Sequence, residues 1–521
     1  MQTCVLIIGA GATGTALARD LSLRGIDCIL VEKGDVNAGA SGANHGLLHS
    51  GARYIVSDPA AAAECHAENR ILKQIAPQCI EDTGGLFVAV QGDDEKYIAD
   101  FPTACQKCGI PVQPLSPDQA RDMEPALSEH VIAAFWVDDA AIDPFKLSLD
   151  NLSCAQAHGA RLLCRHQVTS FEIRGGRIVC THVRDLNTDK QFFIEAQVVV
   201  NAAGAWADII ARCAGAQMQM YYSKGSLMVT QNRIAKRVIN RLRMPTDGDI
   251  LVPGGTVSIL GTTSERVASP DFIYPEIHEI DTILDQGSAM IPKLAQTHYI
   301  RAYCGVRPLP AGSEITNPAR DPDDRAVSRG YELIDHQDQP EQMANFVSIT
   351  GGKLTTCRLM AEKTADLVCE KLGIQAVCRT RTEPVPDAAE AKWTKPGLAP
   401  AAWVRENRCK EPLLCECEMV PESVVKQIAD TFAANQQRPD LKAISLRSRI
   451  GKGPCQGTFC SMRIMAYLYD QGYINDRYGT DDLRAFLKER WRGRQPLAWN
   501  NGLARAELME AMHCGLFCLE L

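Results

Sequence analysis

The segment "VLIIGAGATGTALARD", Val5 to Asp20, constrains this chain more than any other stretch. Val5 to Ile8 form a short apolar run suited to a strand buried on both faces. Gly9, Gly11 and Gly14 follow as G-x-G-x-x-G, with Ala12 and Thr13 between the last two. The first glycine permits a tight turn, the second lets backbone approach a pyrophosphate, and the third lets helix pack on strand. The helix N-terminus behind them offers free N–H groups and a positive dipole end to phosphate. Gly25 stops that helix, Ile26 to Val31 read as a second strand, and Glu32 ends it 23 residues after Gly9, with Lys33 next. A carboxylate there accepts hydrogen bonds from a ribose diol and opposes a 2′-phosphate, hence NADP. A lone G-x-G-x-x-G is weak, but strand, turn, helix, strand and acid together specify dinucleotide binding.

Later segments select FAD over NAD. "VVVNAAGAWA" (Val198 to Ala207) is another buried strand entering a small-residue turn, with Ala203, Gly204 and Trp206 placed to meet a cofactor. "FVSITGGKLTT" (Phe346 to Thr356) is a third such unit, in which Gly351, Gly352, Lys353, Leu354 and Thr355 precede a helical pattern of Met360, Leu367, Val368 and Leu372 that Gly373 stops. A glycine pair entering a helix can aim N–H groups at the flavin edge that becomes negative on reduction. A plain NAD dehydrogenase has no need of that return to the cofactor.

Length and composition bound the rest. A chain of 521 residues exceeds one hydrophobic core and suggests two to four domains. With 45% hydrophobic and 23% charged residues it has the make-up of a soluble globular protein. A formal charge of −8 argues against a nucleic-acid partner. Val5 to Ala18 is too short and too rich in glycine for a bilayer span, and no cationic segment precedes it as in a signal peptide. The expectation is a cytoplasmic protein with no transmembrane segment, attached to a membrane, if at all, through partners.

"GASGANHGLLHSGARY", Gly39 to Tyr54, carries the candidate chemistry: small residues around Ser41, Asn44, Gly46 and Leu47, then His45, His49, Arg53 and Tyr54. Two histidines within five residues, directly after a nucleotide unit and before an arginine, exceed the usual structural histidine. Arg307 in "YCGVRPL" and Lys353 sit in strand-end loops beside glycine, where α/β folds bind ligands. Arg325 and Arg329 follow in "DRAVSRGYELIDH". Most such cations are solvated surface charges, but several meeting at a flavin face imply an anionic substrate.

There are 21 cysteines, and spacing rather than number gives them meaning. Cys105 with Cys108, and Cys514 with Cys518, read as structural. Residues 382–410, rich in Pro, Ala and charge, read as a linker. Beyond it come Cys415 and Cys417 in "CECEMV", then Cys455 and Cys460 in "GKGPCQGTFC": C-x-C, 37 residues, C-x4-C. Four thiolates in two close pairs hold either Zn²⁺ or a [2Fe–2S] cluster. The gaps depart from the C-x2-C zinc habit and favour the cluster, with zinc left open. Lys442, Arg447, Arg449, Lys452 and Arg463 accompany them with no acid from Leu441 to Arg463, either to stabilise thiolates or as a solvated face. Residues 481–521 read as helical, with Trp491 and Trp499 available for packing or docking.

Taken together, "NHGLLHSGARY", "SKGSL", "GDILVPGGTVSILGTTS", "GVRPL" and "ITGGKLTTCRLMAE" resemble the FAD-dependent glycerol-3-phosphate dehydrogenases. The likeness continues through "CECEMV", "GPCQGTFC" and "LKERWRGRQPLAW", which points to the anaerobic, quinone-linked branch. The resemblance implies an α/β, D-amino-acid-oxidase-like fold: a Rossmann-type FAD-binding domain with an inserted mixed-sheet substrate domain, plus a small C-terminal helical iron–sulfur domain. The expected boundaries are 1–376 for the oxidoreductase (FAD segments about 1–80, 150–215 and 300–376), 377–410 for the linker, 411–465 for the [2Fe–2S] unit and 466–521 for a helical tail. The cysteine pattern is similar to bacterioferritin-associated-ferredoxin-like domains, which strengthens the cluster reading for Cys415, Cys417, Cys455 and Cys460.

By the same resemblance the reaction is oxidation of sn-glycerol 3-phosphate to dihydroxyacetone phosphate, and Val168 joins the FAD-binding residues. The family's substrate residues fall on Arg53, Tyr54, Arg307, Arg329 and Lys353, and its histidine on His49. Arg307 and Arg329 are separated here by the acidic loop "GSEITNPARDPDD". His49 is the expected general base for the C2 hydroxyl proton, its ordinary pKa lying near working pH. Two further subunits, one membrane-associated at the cytoplasmic face of the inner membrane, are implied as partners. The competing readings are an amino-acid or 2-hydroxy-acid dehydrogenase of the same fold, for which one arginine suffices, and a non-catalytic redox carrier or iron-storage partner, for which the cysteine unit alone suffices.

Overall fold

The computed structural model describes residues 1–310, 330–388, 411–434, 437–475, 477–499, 501–517 and 519. Its first strand, Gln2–Ile8, lies at the centre of an eight-stranded sheet. It pairs in parallel with Cys28–Glu32 on one side and Gln191–Asn201 on the other. Phe346–Gly351 continues that parallel core beyond Gln191–Asn201. Val5 to Ile8 are 0–5% exposed, with helices packed on the Val5 and Ile7 face and the antiparallel strands His166–Arg174 and Arg177–Asp185, with the helix Ala207–Cys213, over Leu6 and Ile8. The helix Ala12–Leu23 packs above, and the helix Cys357–Leu372 returns to it, ending on Gly373 at φ +66°.

The inserted sheet has nine strands and is mixed, with Gly85–Val90 and Val238–Arg241 parallel among antiparallel neighbours. Its backbone is the long pair Met220–Thr230 and Tyr299–Pro310, which sets Ser223 opposite Arg307 and Gly225 opposite Gly305. That register carries the second sheet up against the glycine-rich loop of the first, because a Cβ on Gly305 would meet the Ala43 carbonyl at 2.7 Å.

Residues 377–388, expected as linker, lie against the flavin-binding half instead. Val385 and Ala388 are buried, Arg19 Nη2 donates to the Glu383 carbonyl at 2.7 Å, and Lys146 pairs with Asp387 at 2.5 Å. The remainder of that stretch, 389–410, lies outside the described residues.

The C-terminal part is helical, with Glu422–Ala434, Leu441–Arg447, Cys460–Asp470, Tyr478–Arg492 and Asn501–Phe517. It shares one hydrophobic core with the first sheet. Among the described residues, three ion pairs join the two: Arg447 with Asp35 at 2.8 Å, Arg165 with Asp440 at 2.5 Å and Arg449 with Asp143 at 3.1 Å. Among the described residues no helix is long and apolar enough to cross a membrane.

Candidate functional site

A cavity of about 1290 Å³ runs between the two sheets. Ordinary small-molecule pockets hold about 300–1,000 Å³, so this one has room for a dinucleotide and a substrate. One end is the fingerprint. Gly9 has φ +108°, and a Cβ there would stand 2.5 Å from the Ala202 carbonyl; on Gly14 it would collide with the Gly9 carbonyl at 2.0 Å. The turn closes only with glycine at both positions. Ser41 Oγ accepts from the Ala12 N–H at 2.9 Å, tying the later loop to the helix start. Glu32 accepts from the Ala10 and Gly34 N–H groups at 2.9 and 2.7 Å. Burial raises its pKa against those hydrogen bonds.

Of the residues expected at the cofactor, Gly9, Gly11, Ala12, Thr13, Glu32, Lys33, Ser41, Asn44, Leu47, Val168, Ala203, Gly204, Trp206, Gly351, Gly352, Lys353 and Leu354 all line the cavity. Gly14, Gly46 and Thr355 stand behind its wall. Gly46, at φ +70°, turns the loop past Ile142, and Thr355 Oγ1 accepts from the His49 N–H at 3.1 Å.

The other end holds the candidate chemistry in two groups. In the first, the Tyr54 hydroxyl lies 3.4 Å from His49 Nε2, and Lys353 Nζ stands 4.4 Å above the centre of the Tyr54 ring. In the second, Arg307 donates to Ser223 Oγ at 3.4 Å, to the Thr263 carbonyl at 2.9 Å and to Thr262 Oγ1. Arg53 Nη2 is held by Asp249 at 3.3 Å, a buried carboxylate that also takes Arg243 at 2.7 Å and the Thr246 N–H at 2.6 Å. His45 stands on the same wall. Arg325 and Arg329 lie outside the described residues.

Sequence reading missed the groups that aim these cations: Asp249, Thr246, Ser223, Gly225, Thr262 and Thr263. Several sit in the quoted runs "SKGSL" and "GDILVPGGTVSILGTTS", but strand register, not spacing, brings them to Arg307 and Arg53. The arrangement can bind an anion at the paired arginines and hold a histidine within reach of a bound hydroxyl.

The four cysteines also come together. Cys415 ends the strand Leu413–Cys415, Cys417 follows in the turn, Cys455 lies in the glycine loop and Cys460 opens its helix. Cys415 and Cys417 Sγ are 3.7 Å apart, Cys417 and Cys455 Sγ 3.8 Å, and Cys460 closes the ring against Cys415 and Cys455. A Cβ on Gly453 would come within 2.7 Å of Cys417 Sγ. Hydrogen bonds from Cys417 and Cys460, aided by the Gly457 and Phe459 N–H groups, push the Cys455 thiol down, while bonding to Cys415 and Cys455 pushes Cys417 up. Thiols so close cannot all ionise without a cation among them, and an all-sulfur set suits iron–sulfur or zinc. The neighbouring charges are mostly paired: Arg449 with Glu418 and Asp143, Arg447 with Asp35, Arg463 with Glu416. Cys105 is a buried thiol whose pKa burial raises, as expected of a structural residue, and Cys518 lies outside the described residues.

The family described as FAD dependent oxidoreductase matches residues 4–367. Over 99% of this chain, the sequence is 42% identical to a subunit of the anaerobic glycerol-3-phosphate dehydrogenase of Escherichia coli (strain K12), covering 97% of that protein. The corresponding subunit of the Haemophilus influenzae enzyme is 39% identical across 100% of this chain and 94% of its own. In fold, the chain is similar to a glycerol-3-phosphate dehydrogenase from Bacillus halodurans complexed with FAD, with a TM-score of 0.65, 20% identity and 96% of each chain covered.

Proposed function

The chain belongs to the FAD-dependent oxidoreductase family, with subunits of anaerobic glycerol-3-phosphate dehydrogenases matching it almost end to end, and from that premise we propose that it oxidises sn-glycerol 3-phosphate to dihydroxyacetone phosphate. The observation that carries this reading is the meeting of Arg53, Arg307, Lys353 and His49 at one end of the cofactor cavity. One arginine serves a carboxylate; two arginines and a lysine suit a phosphate dianion.

FAD, held by the Gly9–Gly14 fingerprint and the Gly351–Gly352 turn, would supply a hydride acceptor for C2, and a [2Fe–2S] centre held by Cys415, Cys417, Cys455 and Cys460 would supply a one-electron outlet. The protein's own work is binding and proton transfer. Arg53 and Arg307 fix the phosphate, and Asp249, Ser223, Thr262 and Thr263 fix the arginines. His49 takes the C2 hydroxyl proton as the C–H bond breaks, so that the alcohol becomes a ketone without a free alkoxide. Thr355 holds its backbone, and the Tyr54 hydroxyl orients its ring. Lys353, at the turn behind the glycine pair, places a cation over the face of the Tyr54 ring.

The same reading gives the chain partner subunits, as the relatives' names imply, which take its electrons to a quinone and hold it at the cytoplasmic face of the inner membrane. Turnover with an artificial acceptor tests the substrate. Glycerol 3-phosphate should reduce the acceptor, while glycerol, lactate and glycine should not; efficient turnover of lactate or glycine, with none of glycerol 3-phosphate, overturns it. Iron and acid-labile sulfide in equal amounts in anaerobically purified protein support the centre, and zinc without sulfide contradicts it.

A further inference from the structure

His45 lines the cavity and has no part in the proton transfer or the arginine contacts described so far. Its ring lies 6.4 Å from that of His49, on the wall shared with Arg53 and Arg307. Among the described residues, Nδ1 is buried and meets no hydrogen-bond partner, and Nη1 of Arg53 is buried without one. Burial, then the charges of Arg307 and Arg53, hold the His45 pKa down to about 3. The ring is therefore neutral at working pH, with one N–H and one bare nitrogen. A stranded N–H at Nδ1 would cost its full desolvation, so the proton belongs on Nε2, where a ligand can meet it.

We propose that His45 is a substrate-binding residue, donating Nε2–H to the phosphate of the substrate beside Arg53 and Arg307. The inference rests on the glycerol-phosphate reading and adds a third arm to its anion pocket. A third cation between two arginines would add repulsion in the empty site; a neutral ring adds a donor without a charge. The two histidines divide the work: His49 accepts the proton from C2–OH, and His45 supplies one to a hydrogen bond without giving it up.

The test uses the full-length, FAD-loaded protein with His45→Ala and His45→Gln, read by KM for glycerol 3-phosphate and by the competitive inhibition constant of inorganic phosphate. A hydrogen bond to a charged group predicts that alanine raises both constants together by about 10- to 100-fold, with a smaller change in kcat. Glutamine, which keeps an N–H, should recover the larger part. Both constants within twofold of wild type overturn the proposal. So does a raised KM with phosphate inhibition unchanged, which moves the contact to the glyceryl part. Loss of kcat together with the acid limb of its pH profile makes His45 the base and overturns it as well. If alanine empties the site of FAD, Gln against Leu at position 45 makes the same comparison. Failure of wild-type turnover with glycerol 3-phosphate is a separate result: it removes the underlying reading rather than the role of His45.

Discussion

At the scale of the residue, the smallest side chain in the site positions one of the largest. A Cβ at Gly225 would stand 2.3 Å from Arg307 Nη2, so the guanidinium has its place only because that strand position is bare. Gly225→Ala should push the head group off Ser223, Thr262 and Thr263, raising KM by about tenfold or more while Tm moves little, since only a side-chain end is displaced. His49→Asn should leave FAD bound and slow flavin reduction by about 10²- to 10⁴-fold, the usual worth of a general base; near-normal reduction in stopped flow would take His49 out of the reaction. That His49, Arg53, Tyr54, Arg307 and Lys353 share one cavity was legible because each stands in a short run near glycine, although Arg307 lies within the strand Tyr299–Pro310 and not in the strand-end loop expected for it. Asp249 and Ser223 were not, because their partners lie 196 and 84 positions away and meet only through tertiary pairing.

Among the elements, the nucleotide-binding unit was the most legible, since turn, helix start and strand-end acid are all local consequences of glycine spacing. Its second strand runs Cys28–Glu32, two residues later than the apolar run suggests, because the Ile26 N–H is spent on the Leu21 carbonyl in the turn out of the helix. The long antiparallel pair that carries Arg307 was not legible, because its register depends on partners in both sheets. A charge defect sits where the helix Leu441–Arg447 begins: Asp482 accepts from the Leu441 N–H at 2.8 Å, and burial, with Asp440 nearby, pushes its pKa up to about 7. The folded form thus holds a proton that the unfolded chain gives up near its ordinary value of 3.8. Stability from this group is complete below that value, falls as pH rises towards 7 and stays lost above it. Asp482→Asn should therefore raise Tm at pH 8 and not at pH 4; an equal shift at both pH values would contradict the assignment.

For the whole molecule, the cysteine unit and the flavin-binding half are one packed body. The buried Arg447–Asp35 pair ties the helix that precedes the cysteine loop to the segment three residues beyond Glu32. Breaking such a pair costs about 3–5 kcal/mol. Arg447→Gln should lower Tm accordingly and release FAD more readily, as dilution followed by flavin fluorescence would show; unchanged FAD retention would mean that the two halves are not coupled through this contact. Composition placed a linker between the halves, and the local signal of Pro, Ala and charge could not show that Val385 and Ala388 would find buried seats on the first half.

In the proposed function, electrons from glycerol 3-phosphate pass through this chain from a flavin to a centre held by Cys415, Cys417, Cys455 and Cys460. The sharpest test is anaerobic rapid mixing with one equivalent of substrate, followed by both flavin absorbance and low-temperature EPR. Flavin absorbance should fall first, and an iron–sulfur EPR signal should follow that Cys455→Ser abolishes while the flavin still bleaches. Bleaching in the wild type with no such signal at any time would contradict the proposal.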